Sequence, residues 1–236
     1  MTLARSGSTP STSAGSASGI PRHHRWAGLS AVAGAILFAV ANALWAFEQP
    51  APGAAAPELV AFYGDLSERI TAGALLSLIS IAIFVVLASA LRAVLIELEG
   101  DGLLADIAFG GTLLGLAAGV GAETINMAAA LRAGDGDLTD PLALALFDIS
   151  YVLGSYAAGI GFGLLTLATS AAALRARALL PRWLAIIGLA VGVSLITPLA
   201  AYAIGEYAVG LSVVLLLVLG VLVLRGSAVP TARSEA

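Results

Sequence analysis

The sequence contains no cysteine and no lysine, and its two histidines, His23 and His24, are adjacent near the N-terminus. Without cysteine, the chain can form neither a disulfide nor a thiolate metal site. Without lysine, it has no side-chain amine for a Schiff base. Because no histidine falls in the apolar remainder of the chain, we expect no haem or metal ion within a membrane span and no bound cofactor.

Charge is also scarce, because charged residues make up 11% of the 236 residues while hydrophobic residues make up 59%. A soluble domain carries roughly 25% charged residues. The net charge is −4 and no basic cluster is present, which argues against nucleic-acid binding. The missing charge indicates a surface that lies largely in lipid, so we predict an integral membrane protein embedded in the lipid bilayer.

Six long apolar segments each approach or exceed the roughly 20 residues that a helix needs to cross the hydrocarbon core. They predict an all-α, six-helix transmembrane bundle over residues 26–225, with spans at 26–47, 70–91, 104–131, 142–174, 183–203 and 207–224. Residues 1–25 are rich in small polar residues and predict a disordered tail. Residues 226–236 form a second, short tail. The first apolar run is longer than the roughly 7–15 residues of a signal-peptide core, so we interpret it as a retained helix.

The arginines predict the orientation of this bundle, because cytoplasmic loops are enriched in basic residues. With a cytoplasmic N-terminus, nine arginines fall inside and two outside. The inner set is Arg5, Arg22, Arg25, Arg92, Arg175, Arg177, Arg182, Arg225 and Arg233, and the outer set is Arg69 and Arg132. We therefore expect both termini to be cytoplasmic.

Glu123 is the most informative polar residue, because a charged residue inside a span costs about 2.5–3.5 kcal/mol and normally faces protein or water. It continues a row of glycines at intervals of four residues, Gly111, Gly115 and Gly119, and Asn126 follows it. Such a row forms a ridge on which a neighbouring helix can approach closely. Glu123 is thus predicted to face another helix, either as a protonatable or ligand-binding group or as a structural hydrogen-bonding partner.

A second group of polar residues falls in the outer third of the predicted spans. Asp148 lies near the outer end of the fourth span, and Arg69 near the start of the second is a candidate counter-ion. Glu123, Asn126, Asp148 and Arg69 are therefore the candidate ligand- or proton-binding residues, with ordinary interfacial polar residues as the alternative. No nucleophile motif or metal-protease motif is present, so we predict no catalytic residue.

Three shorter features predict local structure. Pro57 to Arg69 forms an amphipathic pattern typical of a short helix that lies on the outer membrane surface or over the mouth of the bundle. Gly159-x-Gly161-x-Gly163 lies within an apolar helix and indicates close helix packing rather than a nucleotide site. Thr197-Pro198 is expected to kink the fifth span.

Several short features together resemble a family of bacterial membrane proteins. In chain order they are Phe62-Tyr63, Ala90-Leu91-Arg92-Ala93, Gly110-Gly111, Phe147-Asp148 and Leu180-Pro181-Arg182-Trp183-Leu184. Over about residues 26–205 the chain resembles uncharacterised six-helix membrane proteins similar to the domain of unknown function 4386. The resemblance implies six helices and a bacterial plasma membrane, and it implies no activity and no catalytic residues.

Three classes of function fit these observations. The first is an accessory protein, not an enzyme, whose small-residue faces pack against a membrane-protein partner or a second copy in a homo-oligomer. The second is a small-solute or proton-coupled transporter that uses the carboxylates of the outer half. The third is a membrane enzyme acting on lipid. The sequence favours the accessory class, and a cavity that reaches Glu123 or Asp148 is the feature that the transporter class requires.

Overall fold

The computed structural model describes residues 21–225, without the side chains of residues 198–209. Within that range the chain forms helices and no strand, which confirms the all-α prediction. The helices are α1 (Arg22–Ala43), α2 (Ala56–Asp65), α3 (Ser67–Glu99), α4 (Leu103–Gly134), α5 (Asp140–Tyr151), α6 (Ala158–Ala176), α7 (Arg182–Ile196) and α8 (Pro198–Leu224). A 3-10 turn (Ala46–Glu48) follows α1, and a π-helical segment (Val152–Ala157) joins α5 to α6.

Four of these helical stretches are long and apolar enough to cross a membrane. They are Arg22–Ala43, Ser67–Glu99, Leu103–Gly134 and Asp140–Ala176, and the last contains α5, the π segment and α6. Shorter apolar helices cover Arg182–Ile196 and Gly210–Leu224. Large apolar side chains such as Leu29, Ile79 and Trp183 are exposed on the outside of the bundle. A membrane protein is the class that accommodates such a surface, since lipid removes it from water.

The long helices surround a common core. Along the chain α1 packs on α3, α3 on α4, α4 on α6 and α6 on α7, and α8 then contacts both α7 and α1. Phe84, Leu91, Leu165 and Leu195 are buried members of that core. The facing sides of α1, α3, α4 and the α5–α6 helix surround the polar residues of the candidate site.

Two members of the predicted glycine row bring α4 and α6 into backbone contact. A Cβ atom added to Gly161 would overlap the backbone of Gly115 and would lie 2.6 Å from the carbonyl oxygen of Gly111. Gly119 is different, because the nearest atom to an added Cβ is Ile81 Cδ1 at 3.5 Å, an ordinary contact. The close contact with α6 thus ends one turn before Gly119, which lines a cavity instead.

A second glycine seam joins α6 to α7. An added Cβ on Gly163 would lie 3.0 Å from the carbonyl oxygen of Gly192, and one on Gly192 would lie 2.9 Å from that of Gly163. Gly161 and Gly163 therefore face different neighbours, as residues two apart on a helix must. The glycine pattern in α6 serves helix packing on both sides, in agreement with the sequence interpretation.

Two helix boundaries differ from the sequence expectation. The predicted fifth span, 183–203, is not one kinked helix, because α7 ends at Ile196 and Thr197 is extended, with φ −86° and ψ 117°. Pro198 explains this break, since proline disfavours the helical conformation in the residue before it and cannot donate a backbone hydrogen bond. At the other end of the chain, α1 begins at Arg22, so His23 and His24 belong to a helix rather than to the predicted tail. The rest of that tail, residues 1–20, and the second tail, residues 226–236, lie outside the described residues.

The glycine seam between α4 and α6 yields a stability prediction. Gly161→Ala forces two backbones apart, and overpacking of this kind costs about 1–3 kcal/mol. We expect a clearly lower melting temperature for the purified protein in detergent, followed by tryptophan fluorescence. Gly119→Ala is the matched control, because its Cβ meets only an ordinary contact and alanine favours helix by about 1 kcal/mol. Equal melting temperatures for the two variants would contradict the close backbone contact between α4 and α6 at Gly161.

Candidate functional site

A cavity of about 250 Å³ lies between α1, α3, α4 and the α5–α6 helix, on the side of the bundle that α2 covers. Phe38, Ile81, Phe84 and Phe162 form its apolar walls. Its polar lining consists of Asn42, Gln49, Glu123, Asn126, Ser150, Tyr151 and Ser155. The cavity therefore combines an apolar wall with a few converging polar groups, which is the usual composition of a small-molecule site.

Glu123 is the acidic group of this cavity. The residue is 8% exposed, and its Oε2 atom is buried without a hydrogen-bond partner among the described residues. Ser77 on α3 interacts with the carboxyl group, but Ser77 Oγ also lacks a partner at full hydrogen-bond geometry. A buried polar atom without a partner costs about 1–3 kcal/mol. The fold therefore leaves one carboxyl oxygen of Glu123 without a hydrogen-bond donor among the described residues.

Asn126 is held beside Glu123 by a hydrogen bond from outside α4. The hydroxyl of Tyr63 on α2 donates to Asn126 Oδ1 at 3.1 Å. Tyr63 is fully buried, and this burial raises the pKa of its phenol to about 12 although a hydrogen bond with Ser150 lowers it. The phenol is consequently protonated at physiological pH and acts as a donor. This bond fixes the Asn126 amide at the cavity wall.

Helix α2 covers the end of the bundle next to the cavity. Leu59, Phe62 and Tyr63 form its buried face, and they pack in one cluster with Trp45 and Phe147. The rings of Phe62 and Trp45 lie 6.4 Å apart between centroids. Of the two placements that the sequence allowed for this amphipathic helix, the structure has the one over the bundle. The apolar face of α2 is thus buried against the bundle, and its Tyr63 reaches Asn126 at the cavity wall.

The π-helical segment is the part of the site that sequence reasoning missed. It covers Val152–Ala157, and its Gly154 and Ser155 line the cavity together with the preceding Tyr151. A π turn shifts the hydrogen-bonding register of a helix by one residue and often occurs at functional sites. The segment from Tyr151 to Ala158 contains no proline, and Gly154 and Ser155 in an otherwise apolar helix do not distinguish a π turn from regular α-helix.

The structure leaves two of the predicted site residues outside the cavity. Asp148 lies on an exposed face of α5. Arg69 is exposed and its Nη1 lies 2.7 Å from Glu48 Oε1, so its acidic partner belongs to the 3-10 turn. Glu123 and Asn126 therefore share a site, whereas Asp148 and Arg69 do not line it.

The ionisable lining of the cavity is acidic. Among the described residues that line it, Glu123 is the acid and no side chain is basic. Trp45, Phe38, Phe84, Tyr151 and Phe162 also border it, and aromatic faces attract cations. The arrangement can accept a proton or hold a small cation, and it offers nothing that would neutralise an anion.

Comparison of the chain with protein-family models, with curated proteins and with solved structures found no match. The fold and the site define the class of protein, an α-helical membrane protein with an acidic, aromatic-walled cavity. The resemblance to the domain of unknown function 4386 stays a prediction.

The bond between Tyr63 and Asn126 yields a second prediction. Tyr63→Phe keeps the ring packing but leaves the buried amide oxygen without its donor, which costs about 1–3 kcal/mol. We expect a lower melting temperature at pH 7, measured by circular dichroism in detergent. Tyr156→Phe is the control, because no hydrogen bond of the Tyr156 hydroxyl is seen among the described residues.

The pH dependence of this effect follows from the raised pKa of Tyr63. Because the folded pKa of about 12 exceeds the ordinary value of 10.0, ionisation favours the unfolded chain. The stability that Tyr63 contributes is present below pH 10 and is lost as the pH rises through about 12. The difference between wild type and Tyr63→Phe should therefore shrink over this interval, and a difference that stays constant would contradict the assignment.

Proposed function

We propose that the protein is a six-span plasma-membrane transporter of a small cationic solute, and that the cavity around Glu123 is its substrate site. One observation carries this proposal, namely a buried carboxylate that lines a cavity, has one oxygen without a hydrogen-bond partner and has no basic side chain beside it among the described lining residues. An ionisable residue at membrane depth is costly and marks substrate, ion or proton pathways in membrane proteins.

The size and lining of the cavity support a small organic cation. A volume of about 250 Å³ lies just below the roughly 300–1,000 Å³ of sites for drug-sized ligands. One carboxylate balances one positive charge, and the aromatic walls stabilise the cation and its apolar body. An amine or quaternary ammonium of a few carbon atoms has this chemistry.

Two helix interruptions support the transporter class as well. The π segment borders the cavity, and α7 ends at an extended residue, Thr197. The 15 residues of α7 measure about 22 Å, less than the ~30 Å hydrocarbon core, so this break would fall within the membrane. Transporters place their binding sites at such discontinuous helices.

For topology we propose six crossings with both termini in the cytoplasm. The four long helices supply the first four, and α7 with α8 supply the remaining two. The arginine distribution supports this orientation. It places α2 and Tyr63 on the outer side, so the substrate site lies in the outer half of the bundle.

The accessory-protein hypothesis stays as the alternative. That hypothesis requires helix faces of small residues that are exposed on this chain and can pack against a partner. However, Gly111 and Gly115 face Gly161 within the same chain, so this row is already covered. The lipid-enzyme hypothesis gains no support from any observed arrangement, and we do not propose it.

Transport of a matched pair of solutes tests the proposal. Purified protein in liposomes is exposed to a gradient of radiolabelled tetramethylammonium or of radiolabelled methanesulfonate, two small ions that keep opposite charges at any working pH. We expect a protein-dependent uptake of tetramethylammonium only. Glu123→Gln should reduce this flux at least tenfold, which corresponds to about 1.4 kcal/mol.

Glu68→Gln is the matched control, since Glu68 is an exposed acid in the first turn of α3 and does not line the cavity. It should transport as wild type does. The proposal would be overturned if Glu123→Gln transported as fast as wild type. It would also be overturned if no small amine or quaternary ammonium crossed faster than in empty liposomes, and the accessory hypothesis would then be favoured.

A further inference from the structure

A second polar cluster lies at the end of the bundle where α1 begins and α3 ends. His23 Nε2 lies 2.9 Å from Glu97 Oε1, and His24 Nε2 lies 3.2 Å from Glu97 Oε2. Ligand atoms of all three residues lie within 4.8 Å of one another. Each imidazole thus directs its Nε2 atom at the Glu97 carboxylate, His23 at Oε1 and His24 at Oε2.

This convergence is not a consequence of helical geometry alone. Adjacent residues on an α-helix point about 100° apart, because the helix has 3.6 residues per turn. His23 and His24 meet only because Glu97 lies between them, with the two rings 4.8 Å apart between centroids. The cluster therefore connects two helices that are separated by 73 residues in the chain.

His23 and His24 both lie in the first turn of α1. Imidazole binds a metal ion through the free lone pair of one ring nitrogen, so each residue can supply one ligand atom.

The hydrogen bonds available to the cluster leave it incompletely satisfied. His23 Nε2 is buried and close to Glu97 Oε1, but it lacks hydrogen-bond alignment with any partner among the described residues. His24 Nδ1 is likewise buried without a partner. His24 Nε2, by contrast, is hydrogen-bonded to Glu97 Oε2 at 3.2 Å, and a metal ion would replace this bond. His23 Nε2 is the ligand atom of the cluster that is left without an aligned hydrogen bond.

We propose that His23, His24 and Glu97 bind a divalent transition-metal ion of the zinc class. Two imidazole nitrogens and a carboxylate oxygen suit Zn²⁺ and its neighbours, whereas Mg²⁺ and Ca²⁺ prefer oxygen ligands. Tetrahedral coordination at about 2.0–2.1 Å places ligand atoms about 3.3 Å apart. The two nitrogen–oxygen separations of 2.9 and 3.2 Å are close to this value, while the ligand atoms of the set as a whole lie within 4.8 Å of one another. The side chains therefore have to move closer together around the ion.

The site has a route for the ion and an open coordination position. The Glu97 side chain is 54% exposed, so an ion can enter from the aqueous side. Three protein ligands leave a fourth position for water. Bound metal would tie the start of α1 to the end of α3, two helices whose other parts border the Glu123 cavity. This site is separate from the proposed transport function and does not depend on it.

The direct test is metal binding to the full-length protein after removal of any affinity tag and treatment with chelator. We expect calorimetry in detergent to give one Zn²⁺ per chain, and Co²⁺ to give the absorption bands of a tetrahedral site. His24→Gln and Glu97→Gln should each weaken Zn²⁺ binding at least about tenfold, a loss that even outer-shell partners produce. Glu99→Gln, on the same turn of α3, should bind as wild type.

Folding is checked separately, because His24 is buried. Melting temperatures without metal identify any variant that fails to fold, and the exposed Glu97 provides a variant expected to fold. Zn²⁺ should raise the melting temperature of wild type and leave that of Glu97→Gln unchanged. The proposal is overturned if wild type shows no saturable Zn²⁺ binding, if Glu97→Gln binds as tightly as wild type, or if Glu99→Gln loses the same affinity.

Discussion

The buried carboxylate of Glu123 is the constraint around which this side of the bundle is arranged. A carboxyl group within apolar helices needs a counter-ion, a set of hydrogen bonds or contact with water. Here Ser77 interacts only loosely and no basic side chain is nearby among the described cavity residues. The remaining way to accommodate the carboxyl group is contact with water or a ligand, and the cavity beside Glu123 has room for either. The walls around Glu123 therefore have to be held apart while the rest of the bundle packs tightly.

The glycine seam and helix α2 maintain that separation from two directions. Gly161 lets α4 and α6 touch through Gly111 and Gly115, which fixes the rotation of α4 and hence the direction of Glu123. Gly119, one turn further along α4, makes no close contact with α6 and lines the cavity. On the other side, α2 closes the end of the bundle and holds Asn126 through Tyr63. The cavity is a consequence of tight packing at its borders rather than of loose packing throughout.

Much of this arrangement can be predicted from the sequence. Each feature that cannot be predicted has a physical reason. Hydropathy predicts the long helices, and the spacing from Gly111 to Glu123 predicts an inward-facing acid, since both depend only on local periodicity. The exposure of Asp148 depends on the rotation of α5, which only tertiary contacts fix. The π segment has no local signal, because it is a shift of backbone register within an apolar helix. The His23–Glu97 contact joins residues that are far apart in the chain, which local patterns cannot predict. It also requires α1 to begin at Arg22, and helix boundaries are the least predictable part of a helix.

The central claim, that Glu123 is kept for function at a cost to stability, is tested most directly by the ligand-free stability of Glu123→Gln. The measurement is the melting temperature of wild type and variant in nanodiscs, each at pH 5 and pH 8. The amide keeps the shape and removes the charge. The account predicts that the variant is at least as stable as wild type, since no counter-ion is lost. A variant less stable by more than about 1 kcal/mol at both pH values would contradict it, because Glu123 would then be a structural partner.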